Sequence, residues 1–218
     1  MTPYTFPDRS AAGQALAREL SDYAGRSDVV VLALPRGGVP VAFEIAHALH
    51  APLDVFLVRK LGVPHQEELA MGAIATGGTR VLNEAVVESL RITPEQIEQV
   101  ARREERELAR REQAFRSGPP VSVRDRTVIL VDDGLATGST MRAAVQALKK
   151  QEPKHLVVAV PVAASETCTD FRSLVDEVVC LYTPNPFMAV GCWYDNFTQT
   201  TDDEVRDYLE RATYEMAH

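Results

Sequence analysis

Cysteine is scarce in this sequence: 218 residues contain three, Cys168, Cys180 and Cys192. An odd number with no C-x-x-C pair fits neither a disulfide framework nor a zinc site, so the expectation is reduced thiols in a cytoplasmic protein. No apolar run approaches the ~20 residues that a membrane span needs. Residues 1–10 have neither the charged start nor the apolar stretch of a signal peptide. Basic charge is not in surplus either. Lys and Arg number 23 against 31 Asp and Glu, a net charge of −8, which argues against a dedicated nucleic-acid binder. Repeats and low-complexity tracts are absent. What is present is ordinary for a globular protein, 45% hydrophobic and 25% charged residues, in a length that suits one large domain or a domain with an appendage.

The chain is organised around residues 128–140. Val128, Ile129, Leu130 and Val131 form a run too short for a helix and suited to a strand buried on both faces. Asp132 and Asp133 follow at its carboxyl end, then a loop of small and hydroxylated residues, Gly134 to Thr140, and a helical pattern from Met141. In open α/β sheets, a strand end leading into a helix N-terminus is where ligands bind. Backbone N–H groups, hydroxyls and the helix dipole there suit a phosphate. A plain capping loop would explain Ser139 and Thr140, but not two carboxylates closing an apolar strand. A P-loop is excluded, because no Lys precedes the Ser/Thr and the glycine spacing is wrong.

Elsewhere strands and helices alternate. Residues 8–25 have helical period, with Asp8 or Ser10 as cap and Gly25 as stop. Residues 29–34 read as a buried strand ending in Pro35-Arg36-Gly37-Gly38, where paired glycines permit positive φ or close approach of a ligand. A helix over about 39–49 and a strand over 53–58 complete a βαβ unit, hence a parallel sheet with a right-handed crossover. The polar stretch 62–68 lacks period and is expected to be mobile, while Gly77-Gly78 reads as a hairpin turn. Residues 84–117 are mostly helical and rich in Glu and Arg, starting at Thr93-Pro94 and ending at Ser117-Gly118-Pro119-Pro120. Glu98–Arg102 and Glu107–Arg111 stand i,i+4, each pair worth about 0.2–0.5 kcal/mol. Only a thin apolar stripe runs along it (Ile97, Val100, Ala101, Leu108, Phe115), so a solvated arm or a dimer contact is the reading there. Further helices are expected over 139–151, 165–175 and 202–213, the last capped by Thr201 or Asp202, and strands over 155–161 and 177–181.

Residues 128–140 resemble the phosphoribosyl pyrophosphate (PRPP) motif of the type I phosphoribosyltransferases: four hydrophobic residues, two acids, two variable residues, then Ala-Thr-Gly-x-Thr. The resemblance implies an α/β fold, an open and mostly parallel sheet flanked by helices. To it are added a flexible hairpin loop, a long charged helical insertion at about 84–117 and a small C-terminal hood. The whole is expected to be a single domain over 1–218 with its core at about 28–197. It further implies that Asp132 and Asp133 bind the ribose hydroxyls, and that Ala136, Thr137, Gly138, Ser139 and Thr140 cradle the 5-phosphate. Arg36, Gly37 and Gly38 would bind the pyrophosphate. Arg59 and Lys60 look like the Arg-Lys pair that adenine-type members place at the catalytic loop, and His65, Glu67 and Glu68 are candidates for acid–base work. Residues 187–197 resemble the closing segment of hypoxanthine-guanine members, so Phe187 would stack on the base and Asp195 would hold a metal through water. Mg2+ borne by the substrate, a homodimer, a cytoplasmic location and nucleotide salvage are the family's habits.

One position departs from the purine pattern. Hypoxanthine-guanine and xanthine-type members carry an Asp immediately before Thr-Gly, where this chain has Ala136, as adenine-type members do. The glycine turn resembles one group and the distal loop another, so the acceptor stays open. Two alternatives to base salvage also stay open: a non-catalytic regulator that senses PRPP or nucleotides, and a transferase with a non-nucleobase acceptor.

Overall fold

The computed structural model describes residues 5–116 and 118–217. Residues 1–4 and Ser117, on which the readings of the N-terminus and of the helix break partly rest, lie outside them. The central sheet consists of β1 (Val29–Ala33), β2 (Leu53–Val55), β6 (Thr127–Val131), β7 (His155–Val162) and β8 (Glu177–Tyr182). These strands are all parallel, in the order β2-β1-β6-β7-β8. Strands with both faces covered show no polar alternation, and β1 and β6 are buried at every position. Val29, Val31, Ile129 and Val131 point into the layer containing α1 (Arg9–Glu19) and α2 (Gly38–Leu49). Val30, Leu32, Val128 and Leu130 point into the layer of α5 (Ser139–Lys150) and α6 (Ser165–Phe171).

A second, antiparallel sheet holds β3 (Val58–Val63), β4 (Gln66–Ala75) and β5 (Thr79–Leu82). It is followed by α3 (Glu84–Ser89) and the long α4 (Pro94–Phe115), and α7 (Asp202–Ala217) ends the described chain. Among the described residues, no helix is long and apolar enough to cross a membrane.

The structure changes four expectations. The apolar run 53–58 is two strands in different sheets. After Val55, the Phe56 N–H still donates to the Ala33 carbonyl (2.9 Å), but Leu57 N–H donates to Thr76 Oγ1 (2.9 Å) and Val58 pairs with Ala75. Val55, Phe56, Leu57 and Val58 are apolar on both sides of the junction, so nothing in the composition marks it. Residues 62–68 are the tip of the β3–β4 hairpin, with Val63 opposite Gln66 and His65 in the left-handed region; cross-strand pairing gives strand structure to a polar stretch that has no periodicity of its own. The charged helix α4 is not a free arm, because it packs on β3, β4 and α7, burying Val100, Ala101, Leu108 and Phe115.

The fourth change concerns the thiols. Cys168 on α6 and Cys180 on β8 are joined as a disulfide, and Cys192 is free and exposed. An odd count excludes full pairing but not one bridge, and the tertiary apposition of α6 and β8 supplies the partner. Smaller differences are boundary shifts: α1 ends at Glu19 before a 3-10 turn, and α6 ends at Phe171.

Candidate active site

In the order β2-β1-β6-β7-β8, the chain moves one way across the sheet from β1 and the other way from β6. The switch point therefore lies between two adjacent strands, and the crevice beyond their carboxyl ends is where an open α/β sheet binds ligands. The turn after β1 is residues 35–38, and the loop after β6 is residues 132–140. Two motifs nearly a hundred residues apart in sequence thus flank one crevice.

Their approach is close. A Cβ at Gly37 would lie 2.1 Å from Asp133 Oδ2, and one at Gly38 would lie 2.8 Å from the Val131 carbonyl. Gly37 has an ordinary helical φ of −62°, so glycine is needed here for space rather than for positive φ. The Pro35–Arg36 peptide is cis. The amides of Arg36 and Gly37 find no hydrogen-bond partner among the described residues, while Gly38 and Val39 are already tied to the Leu34 and Arg36 carbonyls.

Gly138 is the N-cap of α5 with φ +69°, and no side chain caps that helix. A Cβ there would also strike the Phe171 ring at 2.7 Å. The amides of 136–140 likewise have no partner among the described residues, leaving the donors that a helix N-terminus offers to an anion. Thr137 and Ser139 stand exposed with their hydroxyl oxygens 3.1 Å apart. Thr167 of α6 fixes the loop by donating to the Ala136 carbonyl (2.7 Å).

Asp132 accepts the Asp133 amide (2.8 Å). Burial, and secondarily the charge of Asp133, push the Asp132 carboxyl well above the usual range. Burial also raises Asp133, against the pull of Arg9. Arg9, the first residue of α1, donates from Nε to Asp133 Oδ2 at 2.8 Å, both side chains being largely buried. Its Nη1 donates to the Thr198 carbonyl (2.8 Å) and its guanidinium stacks 3.9 Å above the Phe197 ring. Tyr194 donates its hydroxyl to the Asp133 carbonyl (2.6 Å). Burial and the neighbouring carboxylate push this phenol up, so it remains a neutral donor. Sequence reasoning gives no role to Arg9 or Tyr194: both reach Asp133 across long sequence separations, Arg9 belongs to no local motif, and in the 187–197 segment the resemblance assigns only Phe187 and Asp195.

The other expected residues are placed differently. Arg59 is bound through Nε and Nη2 to Glu104 of α4 (2.9 and 2.6 Å). Lys60 donates to the Glu68 carbonyl (3.2 Å). His65, Glu67 and Glu68 lie at the hairpin tip, Glu67 facing Arg103 of α4 at 3.3 Å. Phe187 packs with the cluster of Phe6, Val162 and Tyr194, whereas Phe197 lines a 490 Å³ cavity together with Arg9, Arg36, Gly37 and Asp133. Asp195 is exposed and accepts the Thr5 hydroxyl (2.6 Å). Among the described residues there is no group of three or more His, Cys, Asp or Glu side chains able to hold a metal. Asp132 and Asp133 are two carboxylates only, one of them paired with Arg9, fewer than the oxygen ligands that a protein cage for a hard cation needs.

Comparison with known proteins agrees with this geometry. The profile of the "Phosphoribosyl transferase domain" matches residues 5–195. Two Mycobacterium tuberculosis proteins, from strains CDC 1551 and H37Rv and provisionally named phosphoribosyl transferases, are 49% identical over 213 residues, 97% of this chain. The chain spans about half the length of these curated relatives, 48% of each. Among solved structures, TT1426 from Thermus thermophilus is 41% identical, superposes with a TM-score of 0.83, and is covered to 98% by 95% of this chain. The AQ2163 protein from Aquifex aeolicus shares the fold alone, at 13% identity and a TM-score of 0.50 over 92% of this chain and 85% of that one. With nearly its whole length matched by the family profile, the chain belongs to the phosphoribosyl transferase family.

Proposed function

We propose that this site binds PRPP and transfers its 5-phosphoribosyl group to a nitrogenous, purine-like base, releasing pyrophosphate with Mg2+ carried in by the substrate. The observation that carries the reading is the meeting of the two glycine-bearing loops. Gly37 and Gly38 lie so close to Asp133 and Asp132 that a side chain on either glycine would strike them, Arg36 lines the same cavity as Asp133, and the loop after the acid pair continues into an uncapped helix start. One crevice thus offers donors for a diphosphate, acceptors for two hydroxyls and a nest for a monophosphate, the three polar parts of PRPP.

In this reading the 136–140 loop takes the 5-phosphate, Asp132 and Asp133 take the 2- and 3-hydroxyls, and 36–38 take the pyrophosphate. A ring nitrogen of the base attacks the anomeric carbon as its bond to the pyrophosphate oxygen breaks, and positive charge develops on the ribose. The two carboxylates, held in a crevice of low dielectric, stabilise that charge. Positioning by the two loops supplies much of the remaining advantage. Arg9 fixes one carboxylate oxygen of Asp133 and Tyr194 fixes its backbone, so the acid reaches the sugar already oriented.

A second reading, a sensor of PRPP or nucleotides without turnover, is favoured by one observation. The side chains of Arg59 and Lys60 are engaged by Glu104 and by the Glu68 backbone rather than standing free. Pyrophosphate release from PRPP and Mg2+, with a panel of purine and pyrimidine bases and run beside Asp133→Asn, separates the two. Release that depends on one base and falls at least a hundredfold in the variant supports the transferase. Binding of PRPP with no release for any base supports the sensor.

A further inference from the structure

The long helix α4 has no secure counterpart in the sequence motif, yet it forms one wall of the cavity beside the 35–38 turn. Arg110, Arg111, Ala114 and Phe115 all line that cavity, at spacings that put them on one side of a helix. Two arginines of α4 therefore line the same 490 Å³ space as Arg36 and Arg9. Asp133 and Asp202 are the carboxylates lining it. Arg9 is consumed by its pair with Asp133, and Arg36 touches Asp202 only at 3.5 Å.

Glu107, one turn back on α4, steadies both arginines from outside the cavity. It accepts from Arg110 Nε and Nη2 at 2.9 and 2.7 Å and lies 3.5 Å from Arg111 Nε. With Glu107 holding the Nε and Nη2 edge of Arg110, a group with several anionic oxygens beside the Arg36 and Gly37 amides would gain charge-assisted hydrogen bonds from the remaining nitrogens of the two arginines.

We infer that Arg110 and Arg111 form the far half of the pyrophosphate subsite, so that α4 clamps the leaving group against the 35–38 turn. This rests on the reading of the crevice as a PRPP site. The clamp holds both ends of the reaction: it binds the diphosphate of the substrate, and it stabilises the charge on the departing pyrophosphate once the bond to the anomeric carbon has broken.

Calorimetric binding of inorganic pyrophosphate, and separately of PRPP, each with Mg2+, tests the inference on the full chain. The proteins compared are the wild type, Arg110→Gln/Arg111→Gln, and Arg102→Gln. The Arg102 substitution removes a like charge from the same helix, but Arg102 is paired with Glu98 and does not line the cavity. The expected result is at least a tenfold weaker binding of both ligands in the double variant, less than a twofold change in Arg102→Gln, and melting temperatures near the wild type for both. Undiminished binding in the double variant, or equal losses in the double variant and Arg102→Gln, overturns the clamp while leaving the PRPP reading standing. Failure of the wild type to bind either ligand overturns both.

Discussion

Burial decides the behaviour of Asp132 and Asp133 before any substrate arrives. Each carboxyl is raised above its ordinary value, chiefly by desolvation. A carboxyl raised in the fold contributes stability that is full below the ordinary carboxylate range and is lost as pH rises through the raised value. At neutral pH the site is therefore a standing cost to the fold, of the kind functional sites carry. Asp132→Asn keeps an oxygen for the Asp133 amide (2.8 Å) and removes the charge. It is expected to raise the unfolding midpoint at pH 7, by about 2–4 °C for each kcal/mol relieved, while lowering PRPP affinity. The gain should shrink toward zero near pH 4, where the wild-type carboxyl is itself neutral. Thermal melts across pH check this, and equal midpoints at pH 7 would contradict it. The acid pair was legible in the sequence because charge has no place at the end of an apolar strand. Arg9 was not, because an arginine next to a helix cap carries no local sign of a partner beyond β6.

Elements with local instructions were readable, and those defined by partners were not. Asp8 caps α1 by accepting from the Ala11 amide (2.8 Å), Thr93 and Gln96 form a capping box, and Gly77-Gly78 turns with both φ values positive. By contrast, the end of α4 is secured by a buried ion pair that no periodicity announces. Arg116 Nη1 donates to Asp54 Oδ2 at 3.0 Å, with 9% and 8% of the two side chains exposed. The Val121 amide adds a bond to the same oxygen (2.9 Å). Replacing Arg116 by Met would strand the Asp54 charge, an expected loss of about 3–5 kcal/mol readable in urea unfolding at pH 7. Burial holds the Asp54 carboxyl above its usual value, so by the same sign rule the deficit should narrow as pH falls through that raised value. The pair also anchors the helix that carries Arg110 and Arg111 to β2 of the central sheet.

At the scale of the whole molecule, substrate binding should register as stability. A ligand that binds only the folded state at a hundred times its Kd adds about 2.7 kcal/mol, which for a chain of this size is a rise of about 5–10 °C in Tm. PRPP with Mg2+ should produce it in the wild type and not in Asp133→Asn; no shift at saturating PRPP would count against the site as drawn. The parallel α/β core, and the two glycine-bearing loops at the ends of its strands, followed from the residues in order. Apolar runs long enough only for strands, each closed by glycine or acid and followed by helical period, leave one economical arrangement. What those residues meet was settled by the folded chain. Folding split residues 53–58 between two sheets, joined Cys168 to Cys180, turned 62–68 into a hairpin tip and bound Arg59 to Glu104. It also brought Arg9 onto Asp133 and set α4 beside the 35–38 turn. Local patterns record the energy of a residue against water and its immediate neighbours, whereas ion pairs, bridges and cavity walls depend on groups far away in the chain, whose positions exist only once the chain has folded.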